Sequence, residues 1–116
     1  MAANREFYAA FNRRDLEAMY AVWARSGEVT CIHPGWDVLA GADLVLGSYA
    51  ALFENPAQGR IVAGGESVAI IGEVAVVVCR EFAGGSPLAA TNVFVRQDGN
   101  WKLLHHQAGQ VMARFE

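Results

Sequence analysis

One change of hydrophobic period constrains this chain more than any other feature. Up to residue 54 apolar side chains recur at three- and four-residue spacing, whereas from Gly59 onward they alternate. The first pattern gathers an apolar stripe on one side of a helix, and the second puts every other side chain on one face of a strand. Helices first and a run of strands afterwards predict an α+β fold with an antiparallel sheet.

In the helical part, Phe7, Ala10 and Phe11 and then Leu16, Met19, Tyr20 and Trp23 predict a broken helical pair over residues 4–12 and 15–25. Asp15 is placed to cap the second helix, because its carboxylate can accept the free N–H groups of the next turn. Residues 28–33, β-branched and alternating, read as a short strand that Pro34-Gly35-Trp36 interrupts. A third helix is expected over 42–54, with Asn55-Pro56 as its stop. Four strands follow over 60–71, 73–83, 88–97 and 100–112, separated by Gly72, Gly84-Gly85-Ser86-Pro87 and Asp98-Gly99. Asp-Gly between two apolar runs is a strong hairpin signal, because both central residues of a type I′ turn need positive φ.

The 116 residues suit one domain spanning 1–116. A hydrophobic share of 53% is high for so small a domain, so part of the apolar surface is expected to face a partner subunit or line a cavity. The net charge of −3 and the single lysine, Lys102, argue against a nucleic-acid surface, which needs clustered cations to neutralise phosphates. No run approaches the roughly 18 apolar residues of a spanning helix, so no membrane is expected. The charged opening Met1-Ala2-Ala3-Asn4-Arg5-Glu6 does not read as a signal peptide. Cys31 and Cys79 have no CxxC or histidine-spaced partner and read as buried reduced thiols, which points to a cytoplasmic protein.

Pairing Gln97 with Asn100 across the Asp98-Gly99 turn sets Asn92 opposite His105, and a four-residue loop from Gly84 to Pro87 sets Cys79 opposite Asn92. Residues two apart share a face. One face then carries Glu81, Asn92, Phe94, His105 and Gln107, four of them polar and convergent over an apolar floor. Buried polar groups are costly unless partnered, so this face is assigned to a cavity. The other face, with Val76, Val78, Arg80, Val93, Val95 and Leu104, is assigned to a homodimer interface. The assignment depends on register: a one-residue bulge would exchange His105 for His106.

The strand ending in His33-Pro34-Gly35-Trp36, the Gly41 before a helix, the run Ala90-Thr91-Asn92-Val93-Phe94 and the terminal stretch from Asp98 to Gly109 resemble the SnoaL-like branch of the nuclear-transport-factor-2-like superfamily. The chain is also similar to the association domain of calcium/calmodulin-dependent protein kinase II, in Phe53-Glu54-Asn55 and in the Trp-x-x-x-His pattern from Trp101 to His105. The resemblance implies a cone-shaped, cystatin-like fold in which a bent antiparallel sheet wraps the N-terminal helices. It implies a pocket open at one end and dimers formed sheet to sheet. Members include isomerases, cyclases, dehydratases and non-enzymatic modules, so the fold alone does not settle function. Relatives often carry a histidine and a serine where this chain has Gln107 and Gly109, neither of which can serve as an acid–base group.

Glu81, His33 and His105 are the candidate proton-transfer groups. Glu81 in an apolar cavity would have its pKa raised by desolvation; the plain alternative is an edge glutamate paired with an arginine. His33 is either a base suited to neutral pH or a ring bonded to nearby backbone. Tyr20, Trp23, Trp36, Tyr49, Phe53 and Phe94 are core residues by default, and in a cone fold they also offer a flat, apolar lining beside Asn92 and Gln107. His33, His105 and Glu81 as a metal set lack any helical or HxH spacing, so no metal and no cofactor are expected. The expected function is binding of a hydrophobic or flat carbonyl-containing metabolite by a homodimer. The alternatives are a cofactor-independent isomerase, cyclase or dehydratase using Glu81 or His33, and an oligomerisation module.

Overall fold

The period switch marks the passage from helix to sheet. The computed structural model describes residues 1–113. Its elements are α1 (Ala2–Arg13), α2 (Leu16–Val22), β1 (Thr30–Ile32), β2 (Leu39–Ala40), α3 (Ala42–Glu54), β3 (Val62–Ile71), β4 (Val74–Phe82), β5 (Leu88–Gln97) and β6 (Asn100–Gln110). The six strands form one sheet in the order β2-β1-β6-β5-β4-β3. The four long strands are antiparallel neighbours. β1 instead runs parallel to β6, and β2, two residues long and therefore without a visible alternation, pairs with β1.

Arg14, at a φ of 53°, closes α1. α2 then opens on Asp15, whose carboxylate accepts from the Ala18 N–H at 3.0 Å. This helix stops at Val22, short of the expected residue 25. The cause is tertiary: Trp23 bridges to Leu103 of β6, and the Ala24 N–H donates to the Leu103 carbonyl at 2.8 Å. The helices cover one face of the sheet, and Phe7, Phe11, Trp23, Tyr49, Phe94 and Leu103 fill the space between. Each such side chain contributes roughly 1.5–3 kcal/mol by leaving water.

The Asp98-Gly99 turn forms as its residues demand, with φ of 51° and 80°, and Gln97 pairs with Asn100. Farther along β6 the register slips. Phe94 lies opposite Leu103 but Val93 lies opposite His105, so Leu104 is an extra, bulged residue. Asn92 therefore faces His106, not His105. The loop before β5 also differs from the expected four residues. Glu81 pairs with Leu88, because β4 runs on to pair Phe82 with Val62 of β3. Asn92 accordingly lies opposite Val77 and not Cys79, a shift of two that leaves the faces unchanged. A second bulge interrupts β3 between Gly64 and Ser67, with Gly65 at a φ of 65°. That bulge turns Glu66 toward α1.

Candidate functional site

Between the helices and the concave face of the sheet lies a cavity of about 220 Å³. α1 supplies Phe7, Tyr8 and Phe11, and α3 supplies Tyr49 and Leu52. The end of β1 supplies His33 and, through the Pro34-Gly35 turn, Trp36; β4 and β6 supply Glu81 and His106. Most of this wall is apolar, and the polar groups converge at one place. A larger open groove of about 670 Å³ lies on the other side of Tyr8, between α1 and β3, lined by Arg5, Arg13 and Arg60. The smaller cavity is the candidate site because Glu81, His33 and His106 all reach it.

Glu81 is 2% exposed. Its Oε2 accepts from the Tyr8 hydroxyl at 2.7 Å and lies 3.9 Å from His106 Nε2. The Tyr8 oxygen in turn accepts from Asn92 Nδ2 at 3.1 Å. Asn92 Nδ2 also donates to Asn4 Oδ1 at 2.7 Å, while Asn92 Oδ1 accepts from His106 Nδ1. Burial raises the Glu81 carboxyl above the usual carboxylate range, with the Tyr8 hydrogen bond opposing that rise. Burial pushes His106 down to about 3, assisted by His33 and His105. Desolvation thus drives both groups toward their neutral forms, in which a carboxyl group can give a proton and an imidazole can take one.

His33, also buried, is held by Ser48 Oγ at 2.8 Å. Ser48 spends its own hydrogen on the Val45 carbonyl at 2.6 Å, so it accepts from His33 Nε2, and Nδ1 is the unprotonated nitrogen. Burial lowers His33 to about 4. Cys31 Sγ lies 3.6 Å from the Tyr49 hydroxyl, and burial pushes its thiol up to about 11. A thiol so placed is a packing group and not a nucleophile.

The structure brings Glu81, His33, Trp36 and Tyr49 to the cavity. His105 does not reach it: the Leu104 bulge turns its ring to the opposite face, where Nδ1 meets Thr30 Oγ1 at 2.7 Å. The same bulge leaves Gln107 exposed on that face. His33, His105 and Glu81 therefore do not converge as a metal set. Tyr20, 49% exposed, lies outside the cavity. Trp23 and Phe94 are buried in the core, and Phe53 packs against Phe11 and Tyr49. Among the described residues Trp23 Nε1 has no hydrogen-bond partner. Asn92 is fully buried and acts through Tyr8 and His106. Tyr8 is a site residue that the sequence reading did not name, and His106 enters by the one-residue bulge that the reading gave as the alternative to His105. Tyr8 falls in an ordinary helical stripe, and His106 depends on a bulge that no local motif marks.

Residues 1–113 match the family described as the SnoaL-like domain. Among solved structures, the chain is 34% identical to a proposed dehydratase of the NTF2-like family from Streptomyces avermitilis, over 97% of this chain and 93% of that one, with a TM-score of 0.86. It is 30% identical to a proposed calcium/calmodulin-dependent protein kinase type II association domain from Thiobacillus denitrificans, over 96% and 94%, with a TM-score of 0.87. It is also 26% identical to the F-box protein SKIP8 of Arabidopsis thaliana over 114 residues, covering 97% of this chain. The chain spans about half the length of that curated relative, 49%.

Proposed function

We propose that this chain, which belongs to the SnoaL-like domain family, is a homodimeric small-molecule-binding domain for a compact, largely apolar metabolite with a carbonyl group. One observation carries the reading. Tyr8, His33, Glu81 and His106 converge on one largely apolar cavity. Desolvated polar groups grouped in this way orient a ligand's polar atoms, while Phe7, Phe11, Trp36 and Tyr49 accept its flat body. The dimer forms through the opposite face of the sheet, where Val76, Val78, Arg80, Val93, Val95 and Leu104 lie. Val78 and Phe82 are each over 40% exposed there, and an apolar patch of that kind supports a partner.

The test is direct. The purified protein is unfolded, extracted into solvent and the extract analysed by mass spectrometry, in parallel with Glu81→Gln. A compound recovered in stoichiometric amount from the parent protein and lost from Glu81→Gln supports the reading. Thermal-shift screening with flat aromatic ketones and aldehydes follows if the extract is empty. The absence of any stabilisation would end the proposal.

A second reading, cofactor-independent proton transfer, is favoured by the 3.9 Å spacing of Glu81 Oε2 and His106 Nε2. A pair so placed suits elimination of water from a β-hydroxy carbonyl compound. One member takes the proton from the carbon next to the carbonyl, and the other protonates the departing hydroxyl, so that a C=C bond and water form. The likeness to a proposed dehydratase supports this reading. The rise in ultraviolet absorbance of the conjugated product is the assay, and its absence across β-hydroxy ketones and thioesters would count against it. An assembly module is the third reading, and light scattering separates a dimer from a larger ring.

A further inference from the structure

We infer that Glu66, acting through the amides of Asn4 and Asn92, sets the tautomer of His106 and so decides which kind of group the cavity accepts. The four side chains form one unbroken line. Asn4 Nδ2 donates to Glu66 Oε2 at 2.9 Å, Asn92 Nδ2 donates to Asn4 Oδ1 at 2.7 Å, and His106 Nδ1 meets Asn92 Oδ1. Asn4, Asn92 and His106 are each at most 4% exposed.

The line has a direction that follows from chemistry alone. An ionised carboxylate can only accept, so Asn4 must turn its NH₂ toward Glu66 and its oxygen inward. That oxygen demands the NH₂ of Asn92, which leaves the Asn92 oxygen facing His106. His106 must then donate from Nδ1, and Nε2 is left as a bare lone pair in the cavity wall. Glu66 is suited to be the origin because it is the solvated end: its side chain is 25% exposed, whereas Glu81, which touches the same network through Tyr8, is driven toward its neutral form by burial and can then donate as well as accept. Glu66 also accepts from the Met1 amino group. The bulge at Gly65 is what aims Glu66 at Asn4, in keeping with bulges that redirect side chains beside functional sites.

This deepens the ligand-binding reading and rests on it for the consequence: a wall that presents a bare Nε2 accepts a ligand bearing an O–H or N–H donor at that point and disfavours one bearing only acceptors there. A hydroxy carbonyl compound meets that demand through its hydroxyl group. Asn4, Asn92 and Glu66 are positioning residues, since they act through His106.

The experiment uses the unliganded protein, so its outcome is separate from whether any ligand binds. Long-range ¹H–¹⁵N correlation spectra of the histidine rings between pH 6 and 8 should show His106 as the Nδ1–H tautomer. Glu66→Lys, which offers only donors, should reverse the dominant tautomer to Nε2–H while the His33 and His105 ring signals keep their form. An Nε2–H ring in the parent protein overturns the inference. So does an unchanged Nδ1–H ring in folded Glu66→Lys. If that variant does not fold, Asn4→Leu breaks the line at its middle without adding charge. It should release His106 into mixed tautomers, and a ring that stays wholly Nδ1–H overturns the inference.

Discussion

The Tyr8 hydroxyl lies 2.7 Å from Glu81 Oε2 and joins the first helix to the fourth strand across 73 residues of chain. The same oxygen accepts from Asn92, so one phenol satisfies two buried polar groups from neighbouring strands. A carboxylate in this setting depends on that partner, because a hydrogen bond lost by a buried polar group is costly.

Tyr8→Phe should therefore cost about 1–3 kcal/mol of stability, the range for leaving a buried polar group unsatisfied. The Tyr8 bond lowers the Glu81 pKa against the effect of burial, so its loss should raise that pKa further. Chemical denaturation measures the first effect, and carboxyl-resolved NMR titration measures the second. A variant as stable as the parent, with Glu81 titrating unchanged, would show that the bond is not made.

The two adjacent histidines should behave differently. His106 is buried against Phe7, ring centroids 4.9 Å apart, and ends the asparagine line. His106→Ala should cost about 2–4 kcal/mol through the cavity and the stranded Asn92 oxygen. His105→Ala loses one part-buried hydrogen bond to Thr30 and should cost no more than about 1 kcal/mol. Equal costs, or the reverse order, would place the bulge elsewhere.

Stability should fall on acidification. His33 and His106 are held at about 4 and about 3, below the ordinary 6.5. Their contribution is therefore present above pH 6.5 and is lost as the pH drops through those lowered values, because the unfolded chain takes up protons first. Glu81 works the other way. Its carboxyl is raised above 4.5, so its contribution is present below 4.5 and is lost as the pH rises through its folded value. The histidine contributions fall away as the pH drops from 6.5 toward those values, so Tm should decline from pH 7 to pH 4.5, with the carboxyl acting against the decline, and His33→Gln should flatten part of it. A Tm that is level or rises over that interval would contradict the burial of these rings.

The proposed dimer predicts the effect of a charge on the outer sheet face. Val78 is 46% exposed at the middle of β4, and Val78→Lys should yield a monomer by light scattering with its circular dichroism unchanged. A parent protein that is itself monomeric at micromolar concentration would remove the interface from the proposal.

Much of the fold was legible because its causes are local. The three-and-four spacing of Phe7, Phe11, Met19, Tyr49 and Leu52, the Asp15 cap and the Asp98-Gly99 turn each act within a few residues, and each appears where its chemistry requires. Glu81 was legible as an inward residue because the period of two carries its face along the whole of β4. The errors arise where a distant segment intervenes: α2 ends early because Trp23 and Ala24 pair with Leu103, and β1 runs parallel to β6 although only antiparallel pairing was expected.

The site divides along the same line. Sequence alone determined that polar groups on β4 and β5 would share an apolar face with aromatic neighbours, because alternation is a property of the backbone. Tertiary structure decided which histidine joins them. The bulge at Leu104 admits His106 and expels His105, and the bulge at Gly65 turns Glu66 toward Asn4. A bulge is a compromise in the pairing of two strands, so no single stretch of residues encodes it, and it alone sets which side chains meet.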